Sequence, residues 1–310
     1  MTRRIILDCD PGHDDAVAIM FALGSPDIEL AAITTVGGNQ TIDKVTRNAR
    51  GILALCGREE VPVYRGAERP LLRQVETAPS IHGETGLDGV ELPIPTVAER
   101  PQRAAQAIVE IVRESEPGSI TLVGTGPLTN LALAVRLEPA IVSRVREVVI
   151  MGGGIYEGNW TAAAEFNIWV DPEAARIVFD EPWRVTMVGL DVTHRALATS
   201  DVVDQAARIN TPTGKFFVDL MRFFRVSNRE AFGFADPPVH DPCTIAYLVD
   251  PAVVVTKAAP VAVETRGELT AGATVVDLRA PAPANCNTRV ATQLDRERFW
   301  ELVLDAIARL

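Results

Sequence analysis

Short apolar runs alternate with longer amphipathic stretches through the first two thirds of the chain. Residues 4–9 (RIILDC) read as a buried strand, and residues 13–23 carry apolar positions at helical spacing. Residues 30–36 are β-branched and strand-like, and 42–55 are helical. Helices at 103–114 and 128–137 flank a strand at 120–123. A strand at 148–151 stops at Gly152-Gly153-Gly154, then a helix at 172–179 precedes a strand at 185–188. This alternation predicts βαβ units on a Rossmann-like, open and largely parallel sheet of the α/β class. The strands are continuously apolar rather than alternating, which predicts helices on both faces of that sheet. Beyond 190 the pattern turns helical at 199–208, 213–224 and 239–248, becomes β-branched over 253–292, and closes with a helix at 296–310. Residues 73–95 show little periodicity, and a loop of that length in a compact domain is expected to be functional or disordered. No repeat or linker interrupts the chain, so residues 1–310 are expected to form one domain.

Charge narrows the function classes. The 30 basic and 41 acidic side chains give a net charge of −11. Lys44, Lys215 and Lys257 are scattered, so no basic stripe is available for a nucleic-acid polymer or an anionic membrane. No apolar run reaches the roughly 18 residues of a membrane span. Cys9, Cys56, Cys243 and Cys286 lie far apart and form no C-x-x-C pair, which argues against a zinc knuckle or redox dithiol. With no secretory pattern at the N-terminus, a cytoplasmic protein with reduced thiols is expected.

The densest chemistry is Asp8-Cys9-Asp10-Pro11-Gly12-His13-Asp14-Asp15, where the first strand meets its helix. Ligands of open α/β sheets bind beyond the carboxyl ends of the strands. Acids near a helix N-terminus would account for Asp14 and Asp15, but not for four carboxylates in eight residues. Such crowding raises pKa values and favours a divalent cation, and an all-oxygen ligand set suits Ca²⁺ or Mg²⁺. Gly124-Thr125-Gly126-Pro127 follows another strand, where glycines let a carbonyl approach a cation; no Gly-Lys-Ser/Thr makes it a phosphate loop. Asn159, Glu165 and Asn167 cluster after the triple-glycine turn, and amides that donate and accept suit sugar hydroxyls. His240-Asp241-Pro242 opens a predicted helix, while His82 sits in the long loop, placed to close over a ligand.

Taken together, Asp8-x-Asp10-Pro11-Gly12-x-Asp14-Asp15 resembles the signature of the inosine–uridine-preferring nucleoside hydrolases. Thr34-Thr35-Val36-x-Gly38-Asn39, Gly124-Thr125-Gly126-Pro127-Leu128-Thr129-Asn130, Met151-Gly152-Gly153-Gly154, Glu165-Phe166-Asn167 and His240-Asp241-Pro242 resemble further family segments, in family order and over nearly the whole chain. The resemblance implies a Ca²⁺-dependent N-ribohydrolase that acts on ribonucleosides (uridine, inosine and cytidine) as a homotetramer or homodimer. It places calcium on Asp10, Asp15, the Thr125 carbonyl and Asp241, with Asp8 supporting the carboxylates. It places ribose against Asp14, Asn39, Met151, Asn159, Glu165 and Asn167, with Phe166 in the same segment. His82, Asn228 and Phe232 fall where relatives contact the base. The purine-specific branch stacks its base between tryptophans and lacks the equivalent of His240; here His240 is present and the His82 loop has no tryptophan.

The chemistry expected of such a site is attack on C1′ by a metal-oriented water, with Asp10 as general base and His240 as donor to the leaving base. Neighbouring carboxylates would stabilise the positive charge that builds on the ribose. Two other classes fit parts of the pattern. A haloacid-dehalogenase-type Mg²⁺ phosphatase would use Asp8 as nucleophile, but it needs a positioned lysine and a downstream acidic pair that are not evident. A non-catalytic nucleoside-binding protein accounts for the amides but not for the concentration of acids.

Overall fold

A computed structural model describes residues 2–310. Ten strands occur among them: β1 Arg3–Cys9, β2 Ile28–Thr35, β3 Val63–Arg65, β4 Ile120–Gly124, β5 Glu147–Met151, β6 Val185–Val188, β7 Val254–Ala258, β8 Val261–Val263, β9 Thr274–Val276 and β10 Thr288–Leu294. Twelve helices join them: α1 His13–Gly24, α2 Ile42–Leu55, α3 Pro79–His82, α4 Ala104–Glu114, α5 Thr129–Leu137, α6 Phe166–Val170, α7 Pro172–Asp180, α8 Leu190–Thr193, α9 Ser200–Ala206, α10 Pro212–Phe232, α11 Pro242–Val249 and α12 Arg296–Ala308.

The main sheet runs β3-β2-β1-β4-β5-β6-β10-β7, parallel throughout except for the antiparallel pair β10/β7. Side chains alternate across each strand, so neighbouring apolar residues enter opposite layers. In β1, Ile5, Leu7 and Cys9 join the core beneath α1, α2 and α10–α12, while Ile6 joins the one beneath α4, α5 and α7. Val149 and Val148 divide in the same way on β5. Double coverage is why these strands read as unbroken apolar runs. Chain order reverses between β2-β1 and β4, opening a crevice at the carboxyl ends of β1 and β4 where ligands of such sheets bind.

Three segments depart from the sequence reading. α10 continues eight residues past the expected end at 224, stopping only where Gly233 takes φ 77°. Its last turns carry Arg225, Asn228, Arg229 and Glu230, which dilute the apolar period without breaking the helix. α11 begins at Pro242 rather than 239, because proline suits the first helical turn and leaves His240 and Asp241 in the preceding loop. The 73–95 stretch contains the short α3, and β3 was too short to register as a pattern. The separate β8–β9 hairpin braces the site from outside the sheet: Thr274 Oγ1 donates to the Gly154 carbonyl at 2.7 Å and accepts its N–H at 2.9 Å.

α1 is buried along its full length and packs against α12 so closely that a Cβ on Gly24 would lie 2.0 Å from the Ala306 carbonyl oxygen. Gly24→Ala should therefore force the two helices apart and cost about 1–3 kcal/mol, the range for overpacked cores, measurable by urea unfolding. Unchanged stability would mean that α12 yields freely.

Candidate active site

The crevice floor is built where β1 runs out. Asp8, in register with Thr34 and Gly124, accepts from Thr34 Oγ1 at 2.5 Å and Asn130 Nδ2 at 2.7 Å, joining β1 to its neighbours. Two residues on, Asp10 Oδ2 accepts the Asn39 N–H at 2.6 Å, while its buried Oδ1 has no hydrogen-bond partner among the described residues. Gly38 and Gly126 make room for this carboxylate: a Cβ on either would lie 2.1 Å from Oδ2 or 2.6 Å from Oδ1. Asp15 accepts from Thr125 Oγ1 at 2.9 Å, the Gly12 N–H at 3.1 Å and Asn39 Nδ2 at 3.2 Å. Asp14, Asp15 and Asp241 bring carboxylate oxygens within 4.8 Å of one another. Asp10 stands just outside this trio and still feels Asp15 and Asp14 electrostatically.

All five acids are buried, and no lysine or arginine pairs with them among the described residues. Burial, reinforced by the neighbouring negative charge, pushes Asp14 up to about 8. Burial also lifts Asp15 to about 6 and Asp8 to about 7, against the hydrogen bonds that hold them down. Asp10 and Asp241 rise well above the ordinary carboxylate range by burial and like charge. An oxygen-only set with an orphaned carboxylate oxygen fits a hard divalent cation.

Above this floor opens a cleft of about 530 Å³, open solvent at its mouth included. Asp14, Asn39, His82, Thr125, Met151, Asn159, Glu165, Phe166, Asn167, Asn228, Phe232, His240 and Asp241 all line it, so the expected substrate residues converge. Asp10 and Asp15 lie beneath, outside the lining. Several side chains arrive already engaged. Glu165 caps α6, accepting the N–H groups of Gly153, Asn167 and Ile168 at 2.9–3.1 Å, although burial still lifts its carboxyl to about 7. Asn167 spends its NH₂ on the carbonyls of Thr125 at 2.9 Å and Met151 at 3.2 Å, which turns its Oδ1 toward other partners. Asn159 Oδ1 accepts the Phe166 N–H at 2.9 Å and leaves its NH₂ free. Asn228 Nδ2 donates to the Phe224 carbonyl at 2.9 Å, leaving an acceptor oxygen.

The two cleft histidines sit on opposite supports. His240 Nδ1 lies 2.8 Å from Thr193 Oγ1, and burial lowers its pKa to about 3. His82 packs on the Pro11–His13 turn and Phe224. Phe224, Ala78, Ile81 and Trp160 also line the cleft, though none was expected to. Phe224, Asn228 and Phe232 occupy one face of α10 at four-residue spacing, a relation hidden while the helix seemed to end at 224. Trp160 follows Asn159 and meets the Phe166 ring edge-on at 4.8 Å, so an aromatic wall comes from the 159–166 segment rather than from the His82 loop.

A sequence profile of the inosine-uridine preferring nucleoside hydrolases matches residues 5–301. The chain belongs to this family. The nucleoside hydrolase is 51% identical to the inosine-uridine preferring nucleoside hydrolase of Crithidia fasciculata over 100% of this chain and 99% of that one. It is 45% identical to the pyrimidine-specific ribonucleoside hydrolase of Shewanella sp. (strain ANA-3), over 99% and 97% of the two chains. Among solved structures, a purine-preferring ribonucleoside hydrolase from Gardnerella vaginalis superposes with a TM-score of 0.93 at 34% identity, covering 99% and 98%. The family replaces the phosphatase and passive-binder readings with a hydrolase acting on ribonucleosides. No helix among the described residues is long and apolar enough to cross a membrane, and all four cysteines are free.

Folding raises these carboxyl pKa values, so the metal-free nucleoside hydrolase gains from them below the ordinary carboxylate range. It loses that contribution as pH climbs through about 6 to 8. A divalent cation takes the ionised forms and offsets the loss. Any rise in melting temperature on adding a divalent cation, tested with Ca²⁺, should therefore grow between about pH 5.5 and pH 8. Thermal scans of chelated and Ca²⁺-loaded protein read this directly, and an equal shift at both pH values would detach the cation from the carboxylates.

Proposed function

We propose that the enzyme hydrolyses the N-glycosidic bond of uridine and inosine, with cytidine as a third substrate, to free base and ribose in a Ca²⁺-dependent reaction. The observation that carries this reading is a floor of buried carboxylates, paired with no lysine or arginine among the described residues, beneath a cleft lined by amides and two histidines. Asp10, Asp15, the Thr125 carbonyl and Asp241 are the residues that would hold the cation, as the family resemblance implies; of these, Asp15 and Asp241 share the closest carboxylate trio with Asp14. When bound, the cation supplies the positive charge that lets these acids ionise together and makes water a better nucleophile.

The chain's own groups divide the remaining work. Asp14, Asn39, Asn159, Asn167 and Glu165 bind and orient the ribose hydroxyls, Met151 lines their subsite, and Phe166 walls it. The Asp10 carboxylate accepts a proton from the water that attacks C1′. As the C1′–N bond breaks, its electron pair leaves with the base, and ionised Asp14 and Glu165 offset the positive charge on the sugar. His240 is the donor to the departing base. Burial leaves it uncharged, so once a nucleoside is bound it takes a proton from solvent, passes that proton to the departing base and returns to its uncharged form. His82, Asn228 and Phe232 face the base. The family resemblance supports a cytoplasmic homo-oligomer, tetramer or dimer.

Reducing-sugar release from a panel of nucleosides tests the reading. Asp10→Ala should lower kcat by at least ~10²-fold, in the range for acid–base groups. Exhaustive chelation should abolish ribose release and Ca²⁺ should restore it; full activity in metal-free protein would discard the calcium assignment.

A further inference from the structure

His13 is a buried titratable residue inside the acidic motif that the reaction above leaves without a role. Its backbone N–H, the first of α1, donates to His82 Nδ1 at 3.2 Å. The His82 ring is seated directly on Gly12, where a Cβ would lie 2.6 Å from Nδ1 and 2.7 Å from Cε1. Position 12 must be bare for the amide to reach the imidazole. With Nδ1 turned to α1, Nε2 lies across the ring on the cleft side and has no protein partner among the described residues.

We propose that the first turn of α1 sets the tautomer of His82: the His13 amide occupies Nδ1, the proton rests on Nε2, and the cleft receives a neutral hydrogen-bond donor aimed at the base. This rests on the functional reading above and assigns His82 a different task from His240. His82 polarises an acceptor on the base edge, such as a carbonyl oxygen or a bare ring nitrogen, without giving up a proton.

Two neighbours compete for Nδ1, and they ask for opposite tautomers. The His13 ring places Nε2 3.0 Å from the Asp88 carbonyl, which can only accept, so its own proton sits there. Its Nδ1 is then a lone pair 3.3 Å from His82 Nδ1 and would welcome a proton from it. The amide opposes this. A backbone N–H carries its hydrogen permanently, and a proton on His82 Nδ1 would point straight at it. The amide also belongs to the positive end of a twelve-residue helix, which favours a lone pair over an N–H dipole. A buried N–H stripped of its acceptor is costly, whereas the ring nitrogens can part by a small rotation. Burial holds the pKa of His82 well below its ordinary value, so its ring carries one proton. Stacking of His13 on Phe223 and Phe224, with centroids 5.1 and 5.0 Å apart, holds the arrangement in place.

The test is a long-range ¹H–¹⁵N spectrum of the Ca²⁺-loaded enzyme. Four histidines are few enough to assign by single substitutions. His82 should show a protonated Nε2 and a bare Nδ1, and His13→Phe, which keeps the amide and removes the competing nitrogen, should leave that pattern unchanged. A protonated His82 Nδ1 in the wild type, or a tautomer change in His13→Phe, overturns the proposal. The spectrum needs no substrate, so it stands or falls separately from nucleoside cleavage. Kinetics give a second readout: a neutral donor can be replaced by an amide, a proton-transferring acid cannot. His82→Gln should retain kcat/KM at least about tenfold above His82→Leu, in the range for one hydrogen bond. Equal loss in both variants contradicts a donor role.

Discussion

Five carboxylates buried around one point, with no cationic side chain paired to them among the described residues, cannot all ionise in a folded chain. Burial and mutual repulsion lift their pKa values, so without help the site holds protons that it does not use. Much of the surrounding architecture manages this tension. Thr34 and Asn130 share Asp8, Thr125 and Asn39 share Asp15, and Gly38 and Gly126 leave Asp10 room but only one hydrogen-bonded oxygen. The hydrogen bonds hold the acids in place without neutralising them. A folded scaffold that immobilises uncompensated negative charge is prepared for a cation before one arrives, and stability is given up for that readiness.

The sheet order explains why the acids meet. β1 lies between β2 and β4, so residues at its carboxyl end can reach loops from both directions of the chain. Asn39 follows β2, Thr125 follows β4 and Asn167 lies in α6 after β5, and all three converge on the same few ångströms. Asp241 comes from much further along, carried in by the loop before α11, whose start at Pro242 leaves two residues free to turn inward.

The central strands and α2, α4 and α5 were legible because two-sided burial writes unbroken apolar runs and one-sided burial writes a helical period, whereas α1, buried all round, was legible as an apolar run of helical length. The expected cleft residues were legible for a different reason: acids, amides and glycines at strand ends have few structural uses. Phe224 and Trp160 escaped because an aromatic residue at helical spacing or in a loop looks the same whether it packs a core or lines a cleft. The continuation of α10 escaped because a polar final stretch on a half-exposed helix resembles a loop. His13 was visible but mute. Its meaning lies in where a backbone amide points, and no side-chain pattern encodes that.

The last sixty residues supply no proposed site residue, yet they are not dispensable ornament. Thr274 both donates to and accepts from Gly154, clamping the glycine turn from which the ribose-facing segment springs. β10 is inserted between β6 and β7, so the sheet cannot close its far side without chain from beyond residue 285. A shortened gene fragment ending after Asp241 would therefore contain every proposed site residue and still misplace them. For this architecture the smallest working catalyst is set by the bracing hairpin, not by the chemistry, and attempts at miniaturisation should begin elsewhere in the chain.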